Sequence, residues 1–195
     1  MTEFAPQTEP QVTVRPALLA DAESLSLLSR RLLEYERSIT EPAGELNPWA
    51  SSPEELRKQL QQPSVRFFVA EVEGVLAGYV KTVVYGQRID RRQVGWILWL
   101  EDLFETTARR LFRFLLQRPR PGSKVTAGYI AGAYVRPDMR RHGVGRILVA
   151  TAENWFRGQG IRLCELHVLY NNETARQFWT EIGFEPLAMG MRKKL

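Results

Sequence analysis

The sequence predicts an α+β protein. Segments of alternating polarity read as strands, and apolar residues recurring at i, i+3, i+4 and i+7 read as amphipathic helices. The two-residue connection Glu73-Gly74 makes two of the strands an antiparallel hairpin. The 195 residues suit one domain over 11–195, since domains run most often to about 100–150 residues with a wide spread.

Residues 1–10 hold two prolines and little apolar content and read as a flexible N-terminal tail. Val12 and Val14 alternate with polar neighbours as a first strand that Pro16 ends. Asp21 stands where it can cap the helix that follows, in which Leu25, Leu28, Leu32 and Tyr35 share one face. Residues 38–50 read as loop. Ser52-Pro53-Glu54-Glu55 joins an N-cap Ser, a Pro at the first helical position and a Glu at the third, a capping box that opens a second helix. That helix turns Leu56 and Leu60 inward and closes at Pro63. Phe67–Val72 and Val75–Tyr85 are the hairpin strands, with Gly78 at a bulge or a point of close packing.

The stretch 86–124 is too long for a structureless loop in a compact domain. Leu100, Leu103, Phe104, Leu111, Phe114 and Leu115 recur at roughly helical spacing while Arg109, Arg110 and Arg113 take other faces. This predicts an amphipathic insertion that packs on the sheet, forms a homodimer contact or acts as a substrate lid. Val125–Val135 is an apolar, Gly- and Ala-rich strand stopped by Pro137, whose small side chains let a ligand lie close to the backbone. Gly145 to Phe156 is a helix with Leu148, Thr151, Ala152 and Trp155 on one side and Gly158 as its stop. Leu163–Leu169 is a strand. Asn172 caps a helix with Ala175, Phe178, Trp179 and Ile182 on one face, ended by Gly183. Leu187–Leu195 is predicted as a final strand.

Hydrophobic residues make up 44% and charged residues 25%, the usage of a folded globular chain. One Cys and two His cannot build a disulfide framework or a Cys/His zinc site, so metal-free chemistry is expected. The apolar run Trp96–Leu100 stops at Glu101, far short of the ~20 residues that span a bilayer. The first ten residues hold no apolar core of a signal peptide, so the expected location is cytoplasmic, with no membrane partner. The net charge of +5 raises nucleic acid as a partner, but the basic residues are scattered and no recognition motif accompanies them. An anionic small molecule accounts for the charge as well.

Arg140-Arg141-His142-Gly143-Val144-Gly145 falls between a strand and a helix. Two glycines separated by one residue let successive N–H groups turn toward one point, and the following helix adds its unsatisfied N–H groups and positive dipole end. With the flanking arginines this is an anion cradle. The dinucleotide fingerprint fails at Leu148, where its third Gly belongs, and no Gly-Lys-Ser/Thr follows for a nucleoside triphosphate.

The segment Tyr134-Val135-Arg136-Pro137-Asp138-Met139-Arg140-Arg141-His142-Gly143-Val144-Gly145 resembles the acetyl-CoA motif of the GCN5-related N-acetyltransferases (GNAT), R/Q-x-x-G-x-G/A after a strand. A second segment, Asn172 to Phe184, resembles that family's N-x-x-A-x-x-F-Y-x-x-x-G-F, and Met191–Leu195 is similar to its closing strand. The resemblance covers 12–195 less the insertion. It implies an α/β/α layered fold, with helices on both faces of a mixed, mostly antiparallel sheet whose fourth and fifth strands, here 125–135 and 163–169, splay apart. It implies acetyl-CoA as co-substrate, its pantetheine along the backbone of Ala133, Tyr134 and Val135 and its pyrophosphate on the N–H groups of Arg141, His142, Gly143, Val144, Gly145 and Arg146. Arg140 flanks that cradle, and Asn172, Ala175 and Phe178 of the second motif join the cofactor-binding set. The reaction it implies is direct attack of an acceptor amine on the thioester within a ternary complex.

An amine of pKa ~10.4 must lose a proton before it attacks, and a departing thiolate of pKa ~8.5 benefits from gaining one. Many family members carry Tyr as the acid where this chain has Trp179, whose indole donates a hydrogen bond but cannot deliver its proton. Trp179 therefore either packs or hydrogen-bonds the sulfur, and Tyr134 and Tyr170 are the substitutes. For the base, Glu165 and His167 lie at i and i+2 on one strand face. His142 fits binding better than proton transfer. Glu41, Glu45, Glu101 and Asp102 are either solvated charges or a site for a cationic acceptor, and Cys164 reads as a small buried residue. The alternative to an N-acetyltransferase is a non-catalytic acyl-CoA-binding or regulatory module, which the missing Tyr and the lack of an acid on the fourth strand would suit.

Overall fold

The computed structural model describes residues 11–40, 51–85 and 127–191. The predicted tail 1–10, the insertion 86–124, most of the loop 38–50 and residues 192–195 lie outside the described residues. So do Glu41, Glu45, Glu101 and Asp102.

Among the described residues five strands, β1 (Val12–Pro16), β2 (Val65–Val72), β3 (Val75–Tyr85), β4 (Ala127–Val135) and β5 (Leu163–Leu166), form one sheet in the order β1-β2-β3-β4-β5. The first three pairings are antiparallel and β4–β5 is parallel, so the sheet is mixed and mostly antiparallel. Glu73 and Gly74 both take positive φ, 51° and 76°, the twist that a two-residue hairpin needs. Gly78 is both a bulge partner and a close approach. The β2–β3 register slips at Ala70/Glu71, and a Cβ on Gly78 would lie 2.5 Å from the Tyr134 carbonyl oxygen.

Among the described residues four α-helices cover the sheet: α1 (Ala22–Ile39), α2 (Pro53–Leu60), α3 (Val144–Gly158) and α4 (Glu173–Glu181). The predicted cap of α2 is present, with the Ser52 side chain accepting from the Glu55 N–H and Pro53 in the first turn. Asn172 likewise accepts from the Ala175 N–H at the start of α4. One core cluster sets Leu25 and Leu28 of α1 and Leu56 of α2 against Phe67, Val69, Tyr79, Val83, Tyr129 and Tyr134. On the opposite face, Val144, Leu148, Val149, Ala152 and Phe156 of α3 and Trp179 of α4 pack on Phe68, Ala70, Val80 and Ile130.

Local expectations give way at four points. Asp21 does not cap α1; it closes a short 3-10 turn over Leu19–Asp21, accepting from the Leu18 N–H at 2.6 Å and from Arg15 at 2.7 and 3.0 Å. A salt bridge to Arg15 of β1, which itself also pairs with Glu71 of β2, outcompetes the cap. The stop of α3 is Gly160, at φ 74°, rather than Gly158, which remains helical. The fifth strand ends at Leu166 instead of Leu169. Finally, 187–191 carries the predicted alternation but no strand among the described residues, and Leu187, Met189 and Met191 are exposed. Alternation makes a strand only when a neighbouring edge supplies the ladder.

Candidate functional site: a parted pair of strands and an anion cradle

The β4–β5 ladder pairs only Ala127–Ile130 with Leu163–Leu166. Beyond it β4 continues to Val135, still held to β3 on its other side. Among the described residues no backbone hydrogen bond joins Ala131–Val135 to the chain that follows β5, so the backbone groups of this edge that do not bond β3, apart from the Val135 carbonyl that accepts from Arg140, face a gap. Those groups require partners, and an extended ligand laid along the edge would supply them as an added strand does.

The cradle starts where β4 ends. The turn runs through a 3-10 stretch at Pro137–Met139 into α3. Arg141 at φ 69° and Gly143 at φ 75° take positive φ on either side of His142, and positive-φ residues in such a turn swing successive N–H groups toward one concavity. The first helical hydrogen bond is Ile147 N–H to the Gly143 carbonyl, which leaves the N–H groups of Val144, Gly145 and Arg146 pointing out of the helix end. A Cβ on Gly143 would meet nothing within 4 Å, so its glycine answers to conformation and leaves space open. Gly145 serves packing instead. A Cβ there would lie 3.2 Å from the Phe178 ring, so its absence lets α4 sit against the start of α3.

The basic side chains divide their work. Arg140 turns back, donating from Nε to the Val135 carbonyl at 3.1 Å and lying over the Tyr35 and Tyr134 rings, 5.8 and 5.9 Å away. Arg146 pairs with Glu181 of α4 at 3.3 Å. Arg141 and His142 are exposed beside the helix end. Asn172 is buried, its Oδ1 shared between the Ala175 N–H at 3.1 Å and the Tyr35 hydroxyl at 3.4 Å. Ala175 and Phe178 are half-buried next to it, while Ala133 and Val135 pack on the α3 side of β4.

The candidate acids and bases fall into two groups. Trp179 is buried on the α3 side, edge-on to Phe178 and Phe184 at 5.1 and 5.3 Å between ring centres. Tyr170 is 62% exposed, with Arg176 stacked 4.8 Å from its ring. Glu165, His167 and Tyr134 belong to the other group. His167 Nδ1 lies 2.9 Å from the Tyr129 hydroxyl, and Tyr129 is the register partner of Glu165. Burial holds the His167 imidazole below its ordinary value, while Glu165 pulls the other way.

A β-bulge explains why Tyr134 joins this group. The β3–β4 register slips at Lys81/Thr82, pairing Lys81 with Gly132 and Thr82 with Ile130 and leaving Ala131 opposite no residue. Simple alternation would set Ala133 on the face of Tyr129 and Ala131. With the extra residue, Tyr134 takes that face and Ala133 the other.

Sequence reasoning missed two titratable side chains on the same face. Glu36 of α1 is half-buried, and burial pushes its carboxyl up to about 7. Tyr79, displaced upward first by burial, also feels the Glu36 charge, as does Tyr129. The signal was spacing: Glu36 stands four residues after Leu32, in a stripe that is otherwise apolar. Lys81 of β3 donates to Gln59 Oε1 at 2.8 Å, and burial lowers it to about 7. Cys164 is half-buried on the α3 side, its thiol pushed up to about 12 chiefly by burial. No described helix is long and apolar enough to cross a membrane.

Comparisons with known proteins agree with this architecture. A tetramutant of the BH1408 protein of Bacillus halodurans superposes with a TM-score of 0.72 at 15% identity, over 94% of this chain and 99% of that one. The aminoglycoside N-acetyltransferase AAC(6')-Iy, solved with CoA, superposes with a TM-score of 0.64 at 14% identity, over 98% and 99%. A ribosomal-protein-alanine N-acetyltransferase of Brucella melitensis biovar Abortus 2308 gives 0.58 at 14% identity, over 95% and 100%. Comparison with curated protein sequences found no match. At these identities the superpositions speak for the fold. The sequence profile of the acetyltransferase (GNAT) family matches residues 30–184, most of the chain and both motifs of the site, and the chain therefore belongs to the GNAT acetyltransferases.

Proposed function

We propose that the protein transfers an acetyl group from acetyl-CoA to a primary amine by direct attack, with both substrates bound together. The observation that carries the reading is the five-residue edge Ala131–Val135, unpaired beyond Leu166 and leading directly into the positive-φ turn at Arg141 and Gly143. An extended amide-bearing arm fits the edge, and a pyrophosphate fits the cradle, where open space over Gly143 admits it. Acetyl-CoA, when bound, supplies the electrophilic carbonyl carbon and the sulfur that leaves.

The chain's own groups would bind and orient. The N–H groups of Val144, Gly145 and Arg146 and the positive end of α3 favour an anion, and exposed Arg141 and His142 add donors beside it. Ala133, Tyr134 and Val135 offer backbone partners along the gap. Asn172 has its Oδ1 committed to the α4 cap, which leaves its amide N–H groups to donate. AAC(6')-Iy was solved with CoA, which supports CoA as the ligand class here.

The test is a thermal-shift titration with CoA and acetyl-CoA, followed by mass spectrometry of amines incubated with acetyl-CoA. A ligand that binds only the native state raises the melting temperature as RT ln(1 + [L]/Kd). A rise with CoA and an acetylated amine are expected. The absence of any shift at millimolar CoA would refute the reading, and a shift with no product from any amine would leave the binding-module alternative.

A further inference from the structure

The side of the gap opposite α3 and α4 is lined by the last turns of α1, and one side chain there has no hydrogen-bond partner among the described residues. Leu32 reaches Gly132, its Cδ2 lying 3.8 Å from where a Cβ would stand. Tyr35 reaches Asn172, and the Ile39 carbonyl accepts from Asn171 Nδ2 at 3.2 Å. These anchors stretch α1 from the bulged edge of β4 to the cap of α4, across the point where β4 and β5 part. Glu36 lies between them. Among the described residues nothing hydrogen-bonds its carboxyl; only its backbone carbonyl is used, by the Thr40 hydroxyl at 2.6 Å. A half-buried carboxylate without a partner costs stability, and a cation delivered to this spot would supply the missing partner.

We infer that Glu36 is the acceptor-side catalytic residue: it draws in the ammonium form of the substrate amine and takes its proton. The inference rests on the acetyl-transfer reading and adds the residue and the acceptor class, a cationic primary amine. The Glu36 carboxylate removes one N–H proton and passes it to water. The freed lone pair forms the N–C bond as the C–S bond breaks, the bond pair leaves with sulfur, and a second nitrogen proton goes to that sulfur. The ammonium and the thioester thus become the amide, the thiol and one proton.

The groups facing Glu36 make the assignment specific. Tyr79 of β3 and Tyr129 of β4 are displaced upward chiefly by burial and stay neutral, and His167 is displaced downward. Tyr134 lies on the same face, Glu165 sits beside His167, and Arg140 supplies a cation over Tyr35 and Tyr134. A base near 7 is well poised for a neutral-pH reaction. Lys81 also lies near 7 and is held by Gln59, so a kinetic step near pH 7 needs a variant to assign it.

The experiment compares wild type, Glu36→Gln and Glu36→Asp. CoA affinity is measured by calorimetry, and CoA release from acetyl-CoA is followed against pH with n-butylamine, spermidine and kanamycin. Carbon-13 NMR of the Glu side chains gives a readout independent of turnover. Wild type should show a carboxyl titrating near 7 that is missing in Glu36→Gln, and a kcat/KM that rises through the same pH. Glu36→Gln should bind CoA normally, lose about 100-fold or more in kcat/KM at pH 7, and lose that rising limb, with Glu36→Asp recovering part of the rate. A Glu36→Gln enzyme within threefold of wild type, or one that keeps the limb, overturns the inference while acetyl transfer stands. Normal CoA binding with none of the three amines bound or acetylated overturns it too. Loss of CoA binding in the wild type instead refutes the acetyl-transfer reading itself.

Discussion

The Tyr129 hydroxyl on β4 lies 2.9 Å from Nδ1 of His167, just past the end of β5, and the two rings meet edge-on with their centres 5.5 Å apart. The contact joins the strands at the last point before they part. It also links the sheet face under α1 to the segment leading to α4, so the two sides of the gap are held together through side chains where the ladder no longer does so.

Burial lowers the His167 value, so the unfolded chain binds that proton more tightly than the folded one. Stability therefore falls as pH drops from the ordinary imidazole value near 6.5 through the depressed folded value. Tyr129→Phe is expected to raise the His167 value, because a phenol donating to Nδ1 favours neutral imidazole, and to cost about 0.5–1.5 kcal/mol. Proton NMR titration of the imidazole together with urea unfolding at pH 7.5 and pH 5.5 checks both. A downward movement would make His167 the donor in the pair.

Gly143→Glu should fold, since a Cβ there meets no neighbour, at a cost of about 1–2 kcal/mol for a side chain at positive φ. It should abolish the CoA-induced rise in melting temperature, because the new carboxylate faces the helix end where an anion belongs. Wild-type CoA affinity in this variant would move the cradle elsewhere.

Gly78→Ala confronts backbone rather than a movable side chain, with a Cβ 2.5 Å from the Tyr134 carbonyl oxygen. Either β3 or β4 must shift, and overpacking of this kind costs about 1–3 kcal/mol. Because β4 carries the open edge, CoA binding should weaken along with stability. Chemical denaturation and calorimetry with CoA measure the two effects. A variant as stable as wild type would show that the strands can separate at no cost.

Trp179 lies between Phe178 and Phe184. Trp179→Ala should cost about 3–5 kcal/mol, the usual loss for a large aromatic in a core. Trp179→Phe should keep most of the turnover and lose some stability. A large fall in kcat for a stably folded Trp179→Phe enzyme with intact CoA binding would instead make the indole N–H a hydrogen-bond donor to the reaction. Steady-state kinetics beside thermal unfolding separates the outcomes.

Features whose determinants lie within a few residues of one another were legible in the chain. Ser52-Pro53-Glu54-Glu55 opens α2, Glu73-Gly74 turns the hairpin, Asn172 caps α4, and Arg141 to Gly145 carry the turn into α3. In each, the donor and acceptor, or the residue that tolerates positive φ, are close neighbours in sequence, so composition and spacing decide the outcome. The two motifs that mark the GNAT acetyltransferases belong to the same class.

Contacts between distant segments decided the rest. Asp21 left its cap because Arg15 stands beside it and bridges to Glu71, 56 residues on, through a 2.9 Å hydrogen bond. The alternation in β4 predicts Ala133 under α1, but the bulge at Ala131 depends on how β3 pairs with it, and one unmatched residue moves Tyr134 to that face. Leu187, Met189 and Met191 alternate as a strand would, yet no described edge completes them. Glu36 carried its spacing signal in plain view, but whether a polar residue in an apolar stripe meets water or a closed gap depends on what lies across from it. That was set when α1 docked between Gly132 and the residues that begin α4, because burial is a property of packed surfaces and no single segment carries it.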